Sequence, residues 1–185
     1  MNTKPIIVCH IVNSLDTGGM ENGVINLCNM IDRDQFKPII CCLKEKGTMA
    51  DRVRADVELH VMGFEDGFRI IDTICLVKQI KKLSPHIVHT HGWGGGSLYG
   101  VISAKLACVP VTINGEHGAF FLKHHQIIAQ RVLDLLSTMH LSVSGNLKRK
   151  IVDNLGIAEE RIRVIFNGVD VVLFSGGNNT DDLRK

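Results

Sequence analysis

The chain has 185 residues, a length suited to one domain, and domains of this size bury about 70% of the surface their unfolded chains expose. Its 45% hydrophobic and 22% charged residues make it too apolar for a disordered chain. The 21 Lys plus Arg and 19 Asp plus Glu leave a net charge of +2, too weak a field to gather nucleic acid.

Met1 to Pro5 shows neither a charged n-region with a long apolar core nor a small-residue cleavage site, so no export signal is expected. Apolar runs such as Ile6 to Val12 are strand-sized, well short of the roughly 20 residues that cross a bilayer. The six cysteines (Cys9, Cys28, Cys41, Cys42, Cys75 and Cys108) lie in apolar segments without CxxC spacing, as small buried hydrophobes of a reducing compartment would. The expected location is the cytoplasm.

Short β-rich runs recur along the chain: Pro5 to Val12, Lys37 to Leu43, Val57 to Met62, His86 to Thr90, Val109 to Ile113, His140 to Ser144 and Ile162 to Phe166. Helical periodicity fills the intervals at Glu21 to Ile31, Met49 to Ala55, Ile70 to Leu83, Ser97 to Ala107, His125 to Thr138 and Asn146 to Leu155. Strict alternation predicts a doubly wound, mostly parallel Rossmann-like α/β sheet of about seven strands with helices on both faces. The one break in composition is the polar tail from Ser175 to Lys185.

Ligands of such sheets gather beyond the carboxyl ends of the strands, so the residues that follow each strand matter most. After the first strand, Gly18-Gly19 opens a helix whose free amides and dipole favour a phosphate; the bland alternative is a turn that only satisfies backbone geometry. After the fourth comes His89-Thr90-His91-Gly92-Trp93-Gly94-Gly95-Gly96-Ser97, which lacks the spacing of a dinucleotide fingerprint. His89 and His91 share a strand face, as zinc ligands would, but no third ligand stands at a recognisable spacing. A hydrogen-bonded strand-end pair is the expectation, with no metal. After the fifth strand, Glu116 and His117 set a carboxylate and an imidazole at the ligand edge, where they could meet a substrate hydroxyl or phosphate; a plain exposed polar loop is the alternative. After the sixth, Ser144 or Asn146 can cap a helix, and capping alone explains them.

Taken in order, Gly18-Gly19-Met20-Glu21-Asn22-Gly23-Val24, Pro85 to His91, Glu116-His117-Gly118, Val143-Ser144 and Val164 to Asp170 resemble the retaining glycosyltransferases of the GT-B type, related to glycogen and sucrose synthases and the lipid mannosyltransferases. The resemblance implies two facing Rossmann-like domains, the first holding mainly the acceptor and the second binding the nucleotide sugar through a region with paired glutamates. Residues 1–174 would be the first domain and 175–185 the start of an interdomain linker, with the second domain absent, so that the fragment is expected to be inactive alone. By the same resemblance, Gly18 and Gly19 approach the donor diphosphate and His117 contacts the transferred sugar or its phosphate. Glu116, His91 and Ser144 are weaker substrate-binding candidates. A nucleotide sugar and an acceptor are the expected partners, with no cofactor.

Two other readings remain open. One is a stand-alone module binding a nucleotide or phosphorylated metabolite at Gly18-Gly19 without catalysis. The other adds peripheral contact with the inner membrane face through Lys123 to Leu133, set against a helix that simply packs on the core.

Overall fold

A computed structural model of the chain describes residues 4–92, 95–118 and 124–168. They form strands β1 (Ile6–Val12), β2 (Phe36–Cys42), β3 (Glu58–Val61), β4 (Ile87–His91), β5 (Val111–Glu116), β6 (Met139–Ser142) and β7 (Ile162–Val164). The helices are α1 (Gly19–Met30), α2 (Ile70–Leu83), α3 (Gly95–Leu106), α4 (His124–Leu136) and α5 (Gly145–Leu155). One parallel sheet runs in the order β3-β2-β1-β4-β5-β6-β7, so the doubly wound expectation holds. The expected linker 175–185 lies outside the described residues, as do 169–174, Trp93, Gly94 and Lys123.

Period-two alternation sends β1 to two cores. Cys9 and Ile11 pack with Leu76 and Ile80 of α2 and with Tyr99 and Ala104 of α3. Val12, with Ile40 and Cys42 of β2, meets Val24, Ile25 and Cys28 of α1 on the opposite face. Each fully buried Ile or Leu there contributes about 1.5–3 kcal/mol. A third cluster seats Leu147, Ile151 and Leu155 of α5 on Ile162 of β7.

Three expectations are corrected. Met49 to Ala55 holds only a 3-10 turn, Ala50–Arg52. Its far end is tied to α1, because the Asn29 side chain donates to the Arg52 carbonyl at 2.8 Å and accepts from the Arg54 amide at 3.0 Å, which takes the groups an α-helix would need for its own ladder. The supposed turn Asn114-Gly115-Glu116 is strand, since Asn114 pairs with Thr90 and His140, Gly115 with His91 and Leu141, and Glu116 with Ser142. Finally, four cysteines are buried but Cys75 and Cys108 are exposed, because helix periodicity turns Cys75 outward on α2 and Cys108 follows the end of α3.

Candidate functional site

β1 is the strand where the order reverses, with β2 on one side and β4 on the other, and this is where a doubly wound sheet gathers ligands. The register of β1 on β4 sets His10 opposite His89, and pleating puts His91, two residues on, on the same face. On that face α1 covers β1 and β2, while among the described residues no helix lies over β4 to β7. A cleft results, walled by Gly23 and Leu27 of α1, by His89, His91, Glu116 and His117, and by Ile165 to Gly168. Gly115 forms part of its lining, and a Cβ there would stand 2.8 Å from His89 Nε2.

Four imidazoles meet at this place. His10 Nδ1 lies 3.0 Å from His91 Nε2, and His91 Nδ1 lies 3.0 Å from His117 Nε2. His89 stacks obliquely on His91 with ring centroids 4.0 Å apart. Burial pushes His10 down to about 4 and holds His89 and His91 well below the usual histidine range, with the neighbouring imidazoles adding to the depression of the latter two. Burial lowers His117 as well. The chain of rings is therefore neutral near pH 7. Within it His10 Nε2, His89 Nε2 and His117 Nδ1 are buried and have no hydrogen-bond partner.

Beside them Glu116 is 3% exposed, and burial raises its carboxyl to about 7. Its Oε1 accepts from the amides of His117 at 3.2 Å and Gly118 at 3.4 Å, which opposes the rise. A group poised there exchanges its proton near neutrality, as an acid, a base or a hydroxyl acceptor must. Behind the site, Asn114 Oδ1 accepts from Thr90 at 3.1 Å and from Ser97 at 2.8 Å, tying β4, β5 and α3 together.

The sequence-expected residues divide into two groups. His91, Glu116 and His117 converge on the cleft. Gly18, Gly19 and Ser144 do not line it. Gly18 is the N-cap of α1 in extended backbone, and Glu21 folds its carboxylate back against it, so that a Cβ at 18 would collide with Oε2. Gly19 faces open space, while Gly23, one turn further along α1, reaches the cleft. Ser144 caps α5, its hydroxyl accepting from the Leu147 amide at 3.1 Å. His10 was missed by sequence reasoning; the available signal was an imidazole inside an otherwise apolar buried strand.

A second cleft opens at the same sheet edge over Asn13, Lys44 and Asp66, with Phe64, Phe68 and Tyr99 in its wall. Phe68 is half exposed and stacks on Tyr99 with centroids 5.2 Å apart. Lys44 pairs with Asp66 at its rim.

The chain is similar to known proteins over nearly its whole length. It is 27% identical to the Escherichia coli UDP-Gal:alpha-D-GlcNAc-diphosphoundecaprenol alpha-1,3-galactosyltransferase, over 97% of this chain and 49% of that protein. The fold is shared with a glycosyltransferase from Rickettsia africae, at a TM-score of 0.74 and 21% identity, covering 98% of this chain and 48% of the other. It is also shared with UDP-GlcNAc 2-epimerase from Neisseria meningitidis bound to UDP-GlcNAc, at a TM-score of 0.60 and 13% identity, over 88% and 47% of the two chains. The chain thus spans about half the length of the curated relative it matches. The description of Glycosyltransferase Family 4 matches residues 17–173, and the chain belongs to that family.

Proposed function

We propose that this chain is the acceptor-side half of a retaining GT-B glycosyltransferase, which moves a sugar from a nucleotide-sugar donor to a lipid-linked acceptor when joined to a second α/β domain. The observation that carries the reading is the cleft in which His91, Glu116 and His117 meet at the strand ends. When the glycosidic bond of the donor breaks, negative charge grows on the departing diphosphate, and a fixed neutral donor lowers that barrier. His117 offers an unpartnered Nδ1 at the cleft, and His91 holds its other nitrogen. Glu116 is placed to accept from a sugar hydroxyl. The aromatic cleft around Phe68 offers a flat apolar wall for the acceptor. No cofactor is invoked in the transfer itself.

The lipid-linked acceptor is supported by the Escherichia coli relative, whose acceptor is alpha-D-GlcNAc-diphosphoundecaprenol. α4 adds a physical reason, because Ile128, Val132 and Leu135 recur at i, i+4 and i+7 on its outer face with exposures of 51%, 49% and 77%. Such a stripe suits the surface of a bilayer. The Gly18-Gly19 phosphate module is disfavoured, since the Glu21 carboxylate already stands over that helix start.

The test is to express the chain together with the residues encoded after it and to offer UDP-sugars with a diphosphopolyprenol-linked sugar. A new lipid-linked product of unchanged anomeric configuration is expected. No product from any donor, or an inverted one, overturns the reading. Sedimentation with anionic vesicles checks α4: the protein should pellet, and Val132→Glu with Leu135→Glu should leave it in the supernatant.

A further inference from the structure

His89 and His91 alone offer two imidazoles on one strand face; the sheet register supplies a third. One ring nitrogen from each of His10, His89 and His91 lies within 4.8 Å of the other two. A tetrahedral zinc ion with Zn–N bonds of ~2.0–2.1 Å holds its nitrogens ~3.3 Å apart, a spacing these rings reach with small side-chain movements. The backbone does most of the positioning, since His10 and His89 are paired residues of adjacent strands and His91 follows two residues later.

Two further observations point to a ligand. His89 Nε2 is buried without a partner, and an orphaned buried polar nitrogen is costly unless something meets it. A metal-bound imidazole also usually hands its second nitrogen to a neighbour, and His91 has that arrangement: Nε2 faces His10 while Nδ1 lies 3.0 Å from His117 Nε2.

We infer that His10, His89 and His91 form a three-histidine site for a divalent cation of the zinc class, set in the floor of the cleft. Three neutral nitrogens with no carboxylate among them select zinc, nickel or copper over magnesium or calcium, which require oxygen donors. Three protein ligands leave one position for water or an anionic oxygen, and His89 and His91 both line the cleft from which it would enter. Binding has a defined consequence for His117. With His91 ligating through Nε2, its proton sits on Nδ1 and is donated to His117 Nε2. His117 must then carry its own proton on Nδ1, the unpartnered atom, as a donor. This last consequence rests on the proposed transferase site; the cation site itself does not.

The experiment uses the chain stripped with a chelator, then titrated with zinc against a chromophoric competitor and, separately, with cobalt. One ion per chain is expected, with the intense visible bands of four-coordinate cobalt and a rise in Tm. His89→Gln and His10→Gln should each lower affinity at least 100-fold. Metal-free circular dichroism and melting identify any variant that fails to fold, and the site then stands or falls on the remaining one. His124→Ala with His125→Ala, two exposed histidines of α4, should change nothing. Failure to bind one equivalent, six-coordinate cobalt, or binding that survives loss of His89 or is abolished by loss of His124 and His125 overturns the proposal. None of these readouts involves sugar transfer, so the site can fail while the transferase reading stands, and the reverse.

Discussion

Glu116 is the residue whose environment makes the sharpest solution prediction. Its carboxyl is raised to about 7 by burial, against an ordinary value of 4.5. Between those values the folded chain holds a proton that the unfolded chain has lost, so this group's contribution to stability falls as the pH rises from about 4.5 to about 7. The difference is on the order of 3 kcal/mol. Glu116→Gln should flatten that part of the stability-versus-pH curve in urea melts of the chain; an unchanged slope would mean the carboxyl is ordinary. The sequence did show Glu116 and His117 side by side after an apolar run. It did not show that Glu116 is buried and His117 half-buried, because His117 is held by His91 from a different strand and Glu116 sits within a paired β-strand rather than a turn.

At the level of elements, local chemistry was legible wherever one segment decides its own structure. α2 forms over the predicted Ile70 to Leu83, and Ser144 is the N-cap its position suggested. Ser144→Ala should cost about 1 kcal/mol in chemical denaturation and leave the cleft unchanged, since the hydroxyl meets only the helix start. Gly100 shows the opposite case. It lies inside the predicted helix as an apparent defect, yet a Cβ there would strike Thr90 Cγ2 and stand 3.3 Å from Ile11 Cδ1, so the glycine lets α3 settle onto β1 and β4. Gly100→Ala should destabilise by about 1–3 kcal/mol despite the better helix propensity of alanine. A stabilised Gly100→Ala protein would contradict the close packing. Met49 to Ala55 failed as a helix for a related reason: its Arg52 carbonyl and Arg54 amide bond to the Asn29 side chain of α1, a long-range tie that periodicity cannot reveal.

For the whole molecule, alternation of strands and helices was enough to give the sheet and its two covered faces. What alternation left open is the face over β4 to β7, and that uncovered area is where the cleft lies. The cleft's outer wall includes Ile165 and Phe166, 61% and 75% exposed, an apolar lip consistent with the proposed second domain closing over it. Weak binding of nucleotide sugar by these 185 residues alone is therefore expected. Calorimetry giving tight, stoichiometric binding here would instead favour a self-sufficient module. Register, which no single segment reveals, explains why His10 joins the imidazole group.

In the proposed transferase, His117 acts on the substrate from this cleft. Steady-state transfer by the longer protein, compared between the unaltered form and His117→Ala, tests it most directly. The expected result is a kcat lower by roughly 100-fold with acceptor KM little changed, in keeping with loss of one fixed donor to a developing charge. Turnover by His117→Ala equal to that of the unaltered protein would contradict it.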